Sequence, residues 1–450
     1  MPSEKKPINF LSIPLLKGFL KSNWYPRIFQ WMTLIVFAVV MVEALGGPLS
    51  PGENFATAAT WVIWFPLLPI LFFLFGRFWC SICPFSWISD ISQKLFGANL
   101  KVPKFISKYG LWIFDIVFIF ITWSDHIWGM VESPRGTGVV LLLMFAGVMI
   151  MGMFFERRTW CRYICFLGGV SSNYSRSGML ELRADKEICK NCRTRDCYKG
   201  NEKAPGCPMF EFPMVMETSS SCNLCANCIK TCPNDSIRIS PRIPTSEFWS
   251  QTRAHFEESF LAIVLVGIVF VQNITMLDVY QSFLNFVEQL LGISNVNVAF
   301  TILFILAMAA PVILIFTATA FSKRVTGETL ANAFAKFGYA VIPLDLAGML
   351  AHNLFHILAE GKAIYFTFMG LFGMHMEGST AFVSDPTIQI LQYFLVIVGT
   401  FGSLYTAYRI AKHNYGAGKA LAASMPYFII IILFGITTFL TFTVRMGLRM

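Results

Sequence analysis

The stretch from Cys222 to Pro233, CNLCANCIKTCP, holds the residues best suited to chemistry. It reads Cys222-x2-Cys225-x2-Cys228-x3-Cys232-Pro233. In such a run three thiolates wrap one [4Fe-4S] cube and the fourth reaches a second. Just upstream, Cys189-x2-Cys192-x4-Cys197 supplies three more cysteines, and Cys207-Pro208 repeats the Cys-Pro step. The pattern predicts two [4Fe-4S] clusters. One rests on Cys189, Cys192, Cys197 and Cys232, the other on Cys207, Cys222, Cys225 and Cys228. The upstream half is irregular: Cys192 and Cys197 are spaced more widely than usual, and an insert, Tyr198 to Gly206, precedes Cys207. A local loop is expected there. Zinc knuckles use two separated Cys-x2-Cys pairs, which the four-cysteine run does not resemble.

Four of the twelve cysteines remain: Cys80, Cys83, Cys161 and Cys165. They belong to an internal repeat. Two apolar hairpins each end in a basic residue, then Trp79-Cys80-Ser81-Ile82-Cys83-Pro84 or Trp160-Cys161-Arg162-Tyr163-Ile164-Cys165-Phe166. Soft thiolates suit a third Fe–S site or a copper site, and a thiol/disulfide redox pair is a further reading. Spacing does not choose among them. The bland reading is packing at helix ends, since free cysteine is a common small buried hydrophobe. No cysteine is left over, which argues for redox or metal duty on a reducing face rather than for disulfides.

The elements that must position these thiols are membrane helices. The 450 residues are 55% hydrophobic and only 14% charged, against about 25% charged in soluble domains. The fold class expected is a polytopic α-helical membrane protein of about nine transmembrane helices, with an inserted two-cluster ferredoxin-like α+β module. Spans are expected near residues 28–45, 58–76, 109–127, 137–155, 256–275, 297–321, 333–357, 387–410 and 424–444. Three domains follow: 1–165, a four-helix membrane domain with two Cys-pair helix ends; 166–250, the cluster module, with Ser240 to Trp249 as its exit linker; and 251–450, a membrane domain of about five helices. The net charge of +9 sits mostly in loops, as membrane topology requires. Lys5, Lys6, Lys17, Lys21, Arg27, Lys323, Arg324, Arg409, Lys412 and Lys419 fall on the module's side, and the opposite loops are nearly free of Lys and Arg. This bias places the module in the cytoplasm of a bacterial inner membrane, through eight spans. A ninth leaves Arg445 and Arg449 outside. The N-terminus, MPSEKKPINF, lacks the short apolar core of a secretory signal peptide.

Intramembrane ionisable residues are costly and mark function by default. His352 and His356 stand at i and i+4 on the seventh span, with Asp345 seven residues earlier near the same face. They are candidates for quinol oxidation with proton release, haem b ligation or copper binding, with His126 and His375 as further members. The rival is a helix-packing histidine bonded to Asn353. Asp115 and Glu43 are candidates to assist proton transfer. No phosphate-cradling glycine loop, CxxCH haem motif or Ser/His/Asp hydrolase pattern is present.

Residues 58–240 resemble the NapH/NosR/CcoG-type membrane polyferredoxins. In that family two transmembrane hairpins each end in Cys-x3-Cys-Pro on the cytoplasmic side, and a two-cluster ferredoxin module follows. Cys80, Cys83 and Pro84, then Cys161 and Cys165, then the eight cluster cysteines match. The first pair is one residue short, and Phe166 replaces the second proline. The resemblance implies electron transfer between the quinone pool or a cytoplasmic donor and a periplasmic redox partner, or metal reduction. The expected function is therefore membrane-bound electron transfer, as a quinol-dehydrogenase-like oxidoreductase subunit of a larger complex. The alternatives are copper reduction or handling, and redox sensing. The segment 251–450 lies outside the resemblance.

Overall fold

Nine helical stretches among the described residues are long and apolar enough to cross a membrane. In chain order, spans one to nine are Arg27–Gly46, Phe55–Phe96, Lys104–Trp128, Pro134–Phe154, Phe256–Thr275, Val296–Thr326, Leu330–Glu360, Asp385–Tyr415 and Ala417–Thr441. Each overlaps one of the nine stretches expected from hydropathy, and the second runs on to Phe96, well past its expected end at residue 76. The computed structural model describes residues 8–374 and 376–448. His375 and Arg449, both named above, lie outside them, as do Lys5 and Lys6.

The chain divides into two compact units. The first comprises Met1–Ala38, Leu71–Gly110 and Leu143–Thr252, and contains all twelve cysteines. The second comprises Val39–Ile70, Leu111–Leu142 and Arg253–Met450, and contains Asp345, His352 and His356.

In the first unit, strand β1 (Leu180–Ala184) pairs antiparallel with β4 (Ile237–Pro241), Leu182 opposite Ile239. This ribbon closes the cysteine-rich stretch at its two ends. The insert forms a small hairpin, β2 (Gly200–Asn201) on β3 (Ala204–Pro205), where a loop was expected. Gly200 takes a left-handed φ of 91°, which glycine adopts without steric cost. These two ribbons and the short helices Lys186–Lys190, Asp196–Lys199 and Asn227–Thr231 make up the cysteine-rich segment. A larger ferredoxin sheet is not evident among the described residues. The apolar residues that could have built one are few and go instead to a compact cluster: Leu182, Ile229, Ile237 and Ile239, joined by Leu11, Leu20 and Tyr25 from the N-terminal segment. That segment docks by Ile239 N–H donating to Asn9 Oδ1 at 3.3 Å and by Lys17 and Lys21 pairing with Asp235 at 3.1 and 2.7 Å.

The expected exit linker is tied down. Glu247 is buried and accepts from the guanidinium groups of Arg183 and Arg242. It also accepts from Ser219 N–H at 2.8 Å and Ser219 Oγ–H at 2.9 Å.

In the second unit, span seven is the most enclosed of the described spans, far more buried than span eight. Small residues bring its neighbours close. A Cβ on Gly399 of span eight would lie 2.3 Å from Ala347 of span seven, and one on Gly435 of span nine 2.6 Å from Thr400. Close approach of backbones is how helices gain packing energy in lipid. The stretch Ala58–Trp64 of span two is a π-helix, with Phe65 N–H bonding to Thr60 O. Pro66 and Pro69 follow. Each lacks the N–H that would close an α-helical bond to Val62 or Phe65. The π-turn packs on span seven. Two segments read as loops carry helices of their own, Tyr280–Leu291 and Ala363–Gly370.

Candidate functional site: three groups of four thiols

All twelve cysteines are free and partly buried. Their mutual electrostatics sort them into three groups. Burial pushes the Cys222 thiol up to about 12, and Cys207 and Cys225 add to it. Cys225 is pushed up to about 11 by burial and then by Cys207. Cys228 is raised by burial, then by Cys222, Cys225, Cys207 and Cys197. Cys197 rises to about 11 by burial, then by Cys232, Cys189 and Cys192. Cys189 and Cys232 share a hydroxyl, their Sγ atoms lying 3.2 and 3.4 Å from Ser236 Oγ. Cys192, on the outer side, is lowered, chiefly by the backbone N–H of Arg195. Cys228 and Cys197 stand where two groups meet.

The third group lies just past the break at Gly76 within span two and just past the end of span four. Cys161 is raised by burial, then by Cys165, with Arg158 opposing and Cys83 and Cys80 adding. Cys165 is pushed up to about 11 by burial and then by Cys80, with Arg77 opposing. The repeat in sequence is a repeat in backbone. Span two breaks at Gly76, φ 60°. A one-turn helix, Trp79–Ile82, then leads to an extended Cys83 that caps the helix Pro84–Phe96. Span four is followed by a left-handed Arg158, the one-turn helix Thr159–Tyr163, and an extended Cys165 that caps Phe166–Tyr174. Helices of four and five residues account for the spacings x2 and x3. Proline biases the preceding residue toward extended backbone, yet Cys165 is extended, ψ 113°, before Phe166. The missing second proline therefore leaves the turn intact.

Buried donors surround these thiols. Arg158 is 4% exposed. It donates to Asp90 at 2.6 Å and to Cys80 O at 3.2 Å, and lies near both Cys161 and Cys225. Arg77, 3% exposed, donates to Ser220 O at 2.6 Å. Among the described residues its Nε and Nη2 find no hydrogen-bond partner, nor do Trp160 Nε1 and Asn223 Nδ2. Such a donor costs about 1–3 kcal/mol when left unmet. Around Cys222 and Cys225, Leu224 and Ala226 take left-handed φ of 53° and 63°, about 1–2 kcal/mol each for an L-residue. This turns the N–H groups of Leu224 and Asn227 onto the thiols. A concavity of backbone N–H groups is an anion nest of the kind used at Fe–S sites.

Thiols met by backbone N–H groups are the donor chemistry of [4Fe-4S] cubes. Among the described residues, no three His, Cys, Asp or Glu side chains gather tightly enough for a single metal ion. A single zinc needs thiolates about 2.3 Å from one point, whereas a cube spreads its four thiolates over four irons.

In the second unit, His352 and His356 are fully enclosed, with ring centroids 5.1 Å apart. His352 Nδ1 lies 2.9 Å from Asn273 Oδ1, and His356 Nδ1 lies 2.6 Å from Glu360 Oε2. Adjacent rings on one helix suit neighbouring hydrogen bonds, not opposite faces of one haem iron. Asp345 is buried two turns away. It lines an apolar cleft of about 190 Å³ with Val269, Phe270 and Thr438. Asn353 donates to Met349 O of its own helix at 2.7 Å. His126 has both ring nitrogens engaged, to Thr122 O and Thr275 Oγ1 at 2.8 Å each. Asp115 is buried on span three, and neither carboxylate oxygen finds a hydrogen-bond partner among the described residues. Sequence reading passed over Glu360, Asn273, Arg77, Arg158 and Asp90. Glu360 was open to discovery, standing at i+4 from His356.

The comparisons with known proteins meet this geometry. Residues 57–103 and 137–180 match the family model described as a 4Fe-4S binding domain. The matched segments contain Cys80, Cys83, Cys161 and Cys165, and none of the other eight. The chain is 24% identical over 191 residues to YccM of Escherichia coli (strain K12), conjectured by its name to be an electron transport protein. That match covers 36% of this chain and 51% of YccM. It is also 26% identical over 178 residues to the uncharacterised protein MJ0749 of Methanocaldococcus jannaschii, covering 38% of this chain and 67% of that one. The chain thus spans about half the length of YccM. No solved structure matches it. Fold, site and matches define a multi-pass membrane protein with a [4Fe-4S]-binding domain, and support electron transfer as its general role.

Proposed function

We propose that the protein is a bacterial inner-membrane electron-transfer subunit with three [4Fe-4S] centres. The reading is supported by which thiols neighbour which: Cys161 with Cys165, Cys83 and Cys80; Cys197 with Cys232, Cys189 and Cys192; and Cys228 with Cys222, Cys225 and Cys207. The first centre is held by Cys189, Cys192, Cys197 and Cys232, the second by Cys207, Cys222, Cys225 and Cys228. Cys80, Cys83, Cys161 and Cys165 hold the third. When bound, such clusters supply one-electron transfer. The chain's residues supply anionic thiolates, N–H donors and the positive charges of Arg77 and Arg158. The first two centres would form a small module, and the bias of Lys and Arg toward its side supports a cytoplasmic location. Kinship to the NapH/NosR/CcoG-type proteins is part of this reading. Copper handling is the second reading of the same four soft thiolates, Cys80, Cys83, Cys161 and Cys165.

The second unit is assigned the quinol side, with electrons exchanged with the quinone pool and a periplasmic redox partner. His356 holds its Nδ1 proton against Glu360, and His352 holds one against Asn273. An imidazole oriented by a carboxylate is a competent proton acceptor. Asp345, deeper in the span, belongs to the same proton path. A reduced soluble quinol added anaerobically is expected to bleach the visible absorption of the clusters. His356→Gln should slow that bleaching about 100-fold, the usual scale of a lost general base, with iron content unchanged. Quinol that leaves the spectrum unaltered while dithionite bleaches it would sink the quinol reading. An unchanged rate in His356→Gln would return that residue to packing.

A further inference from the structure

A large cleft opens beside Cys225 in the first unit. Its volume is about 710 Å³, within the range of small-ligand sites. Six cations line it: Arg27, Lys94, Arg157, Arg158, Lys203 and Lys230. Asp90 is the one acid in the lining. Asp90 is paired with Arg158, which leaves five cations in excess. Trp31 and Trp87 form part of the wall, their rings 4.6 Å apart and edge to face.

We propose that this cleft binds a phosphate-bearing planar aromatic ligand of the flavin-nucleotide class. The charge calls for an anion, and Arg and Lys are the usual phosphate binders. The indoles, packed edge to face on each other, bring aromatic surface to the wall against which a ring can pack. Cys225 on the wall places that ring beside the second centre, so a redox-active ring is the kind that position serves. A neutral quinone has no use for five excess cations. A lipid headgroup shares the phosphate but brings no ring. The redox part of this inference rests on the assignment of Cys225 to a cluster. The binding part does not.

The test is an anaerobic titration of the purified chain, its iron counted, with flavin mononucleotide, followed by flavin fluorescence. Saturable quenching is expected. Riboflavin, which lacks the phosphate, should bind at least about tenfold more weakly, as should adenosine monophosphate, since each charged contact or stacked ring is worth about that factor. Arg27→Ala and Lys203→Ala should each weaken flavin mononucleotide several-fold and leave riboflavin unchanged. Trp87→Ala should abolish most of the quenching at unaltered iron content. Non-saturable quenching, or equal binding of riboflavin, overturns the proposal. Equal binding of adenosine monophosphate makes this a general nucleotide site and overturns the flavin assignment. Displacement of flavin mononucleotide by stoichiometric phosphatidylglycerol in micelles makes it a lipid-headgroup site and also overturns it. Iron-loaded protein that binds no flavin defeats this inference alone. Flavin binding by protein that never takes up iron defeats the cluster assignment alone.

Discussion

Cys228→Ser is expected to remove one whole cluster, lowering iron from about twelve to about eight per chain, and to loosen the segment around it. Three other thiols of its group act on the buried Cys228, and Cys197 of the next group does too. Its side chain also packs against the core of Leu182, Ile229, Ile237 and Ile239. Serine there removes a ligand and puts a hydroxyl against apolar neighbours. The left-handed turns at Leu224 and Ala226 then lose the anion that their N–H groups face. Iron and sulfide assays check the first effect, and hydrogen exchange of β1 and β4 the second. Unchanged iron would mean that Cys228 is not a ligand.

Glu247→Leu is expected to open the same ribbon without touching a thiol. Glu247 is the shared acceptor of Arg183 and Arg242, and it holds Ser219 by two further bonds. Removing one partner of a buried ion pair costs about 3–5 kcal/mol, because the remaining charge stays buried. At 1.4 kcal/mol per tenfold, protection of β1 and β4 amides should fall by about 100-fold or more. Iron content of freshly prepared protein should hold. Protection within a factor of about three of the parent would mean that the network adds nothing to the ribbon.

Hydropathy located the nine spans because lipid demands unbroken apolar helices, which leave a plain signal. The cysteine run stands out because its four thiols lie close together in the chain, at the spacing [4Fe-4S] cubes would require. The repeat of Trp79-Cys80 at Trp160-Cys161 was visible too, and the family match falls on those two segments. Less legible were the contacts made across long separations. Nothing local to Arg158 indicates that it bridges Asp90, Cys80 O and the vicinity of Cys225. Nothing in Leu11 or Lys21 indicates that the N-terminal segment closes over β4. Asn273 is eighty residues from His352 in round terms, 79 by count, so no periodicity joins them. The small ribbons escaped as well. In a short cysteine-rich segment the few apolar residues carry little pattern, and strand alternation has nothing to repeat.

The most direct test of the three-centre assignment is the iron and acid-labile sulfide content of anaerobically purified protein, with EPR of the reduced form, in the parent and in Cys161→Ser. About twelve irons in the parent, falling to about eight in Cys161→Ser with the other signals intact, is the expected result. About eight irons in both would leave Cys80, Cys83, Cys161 and Cys165 without a cluster, and would contradict the assignment of a third centre to them.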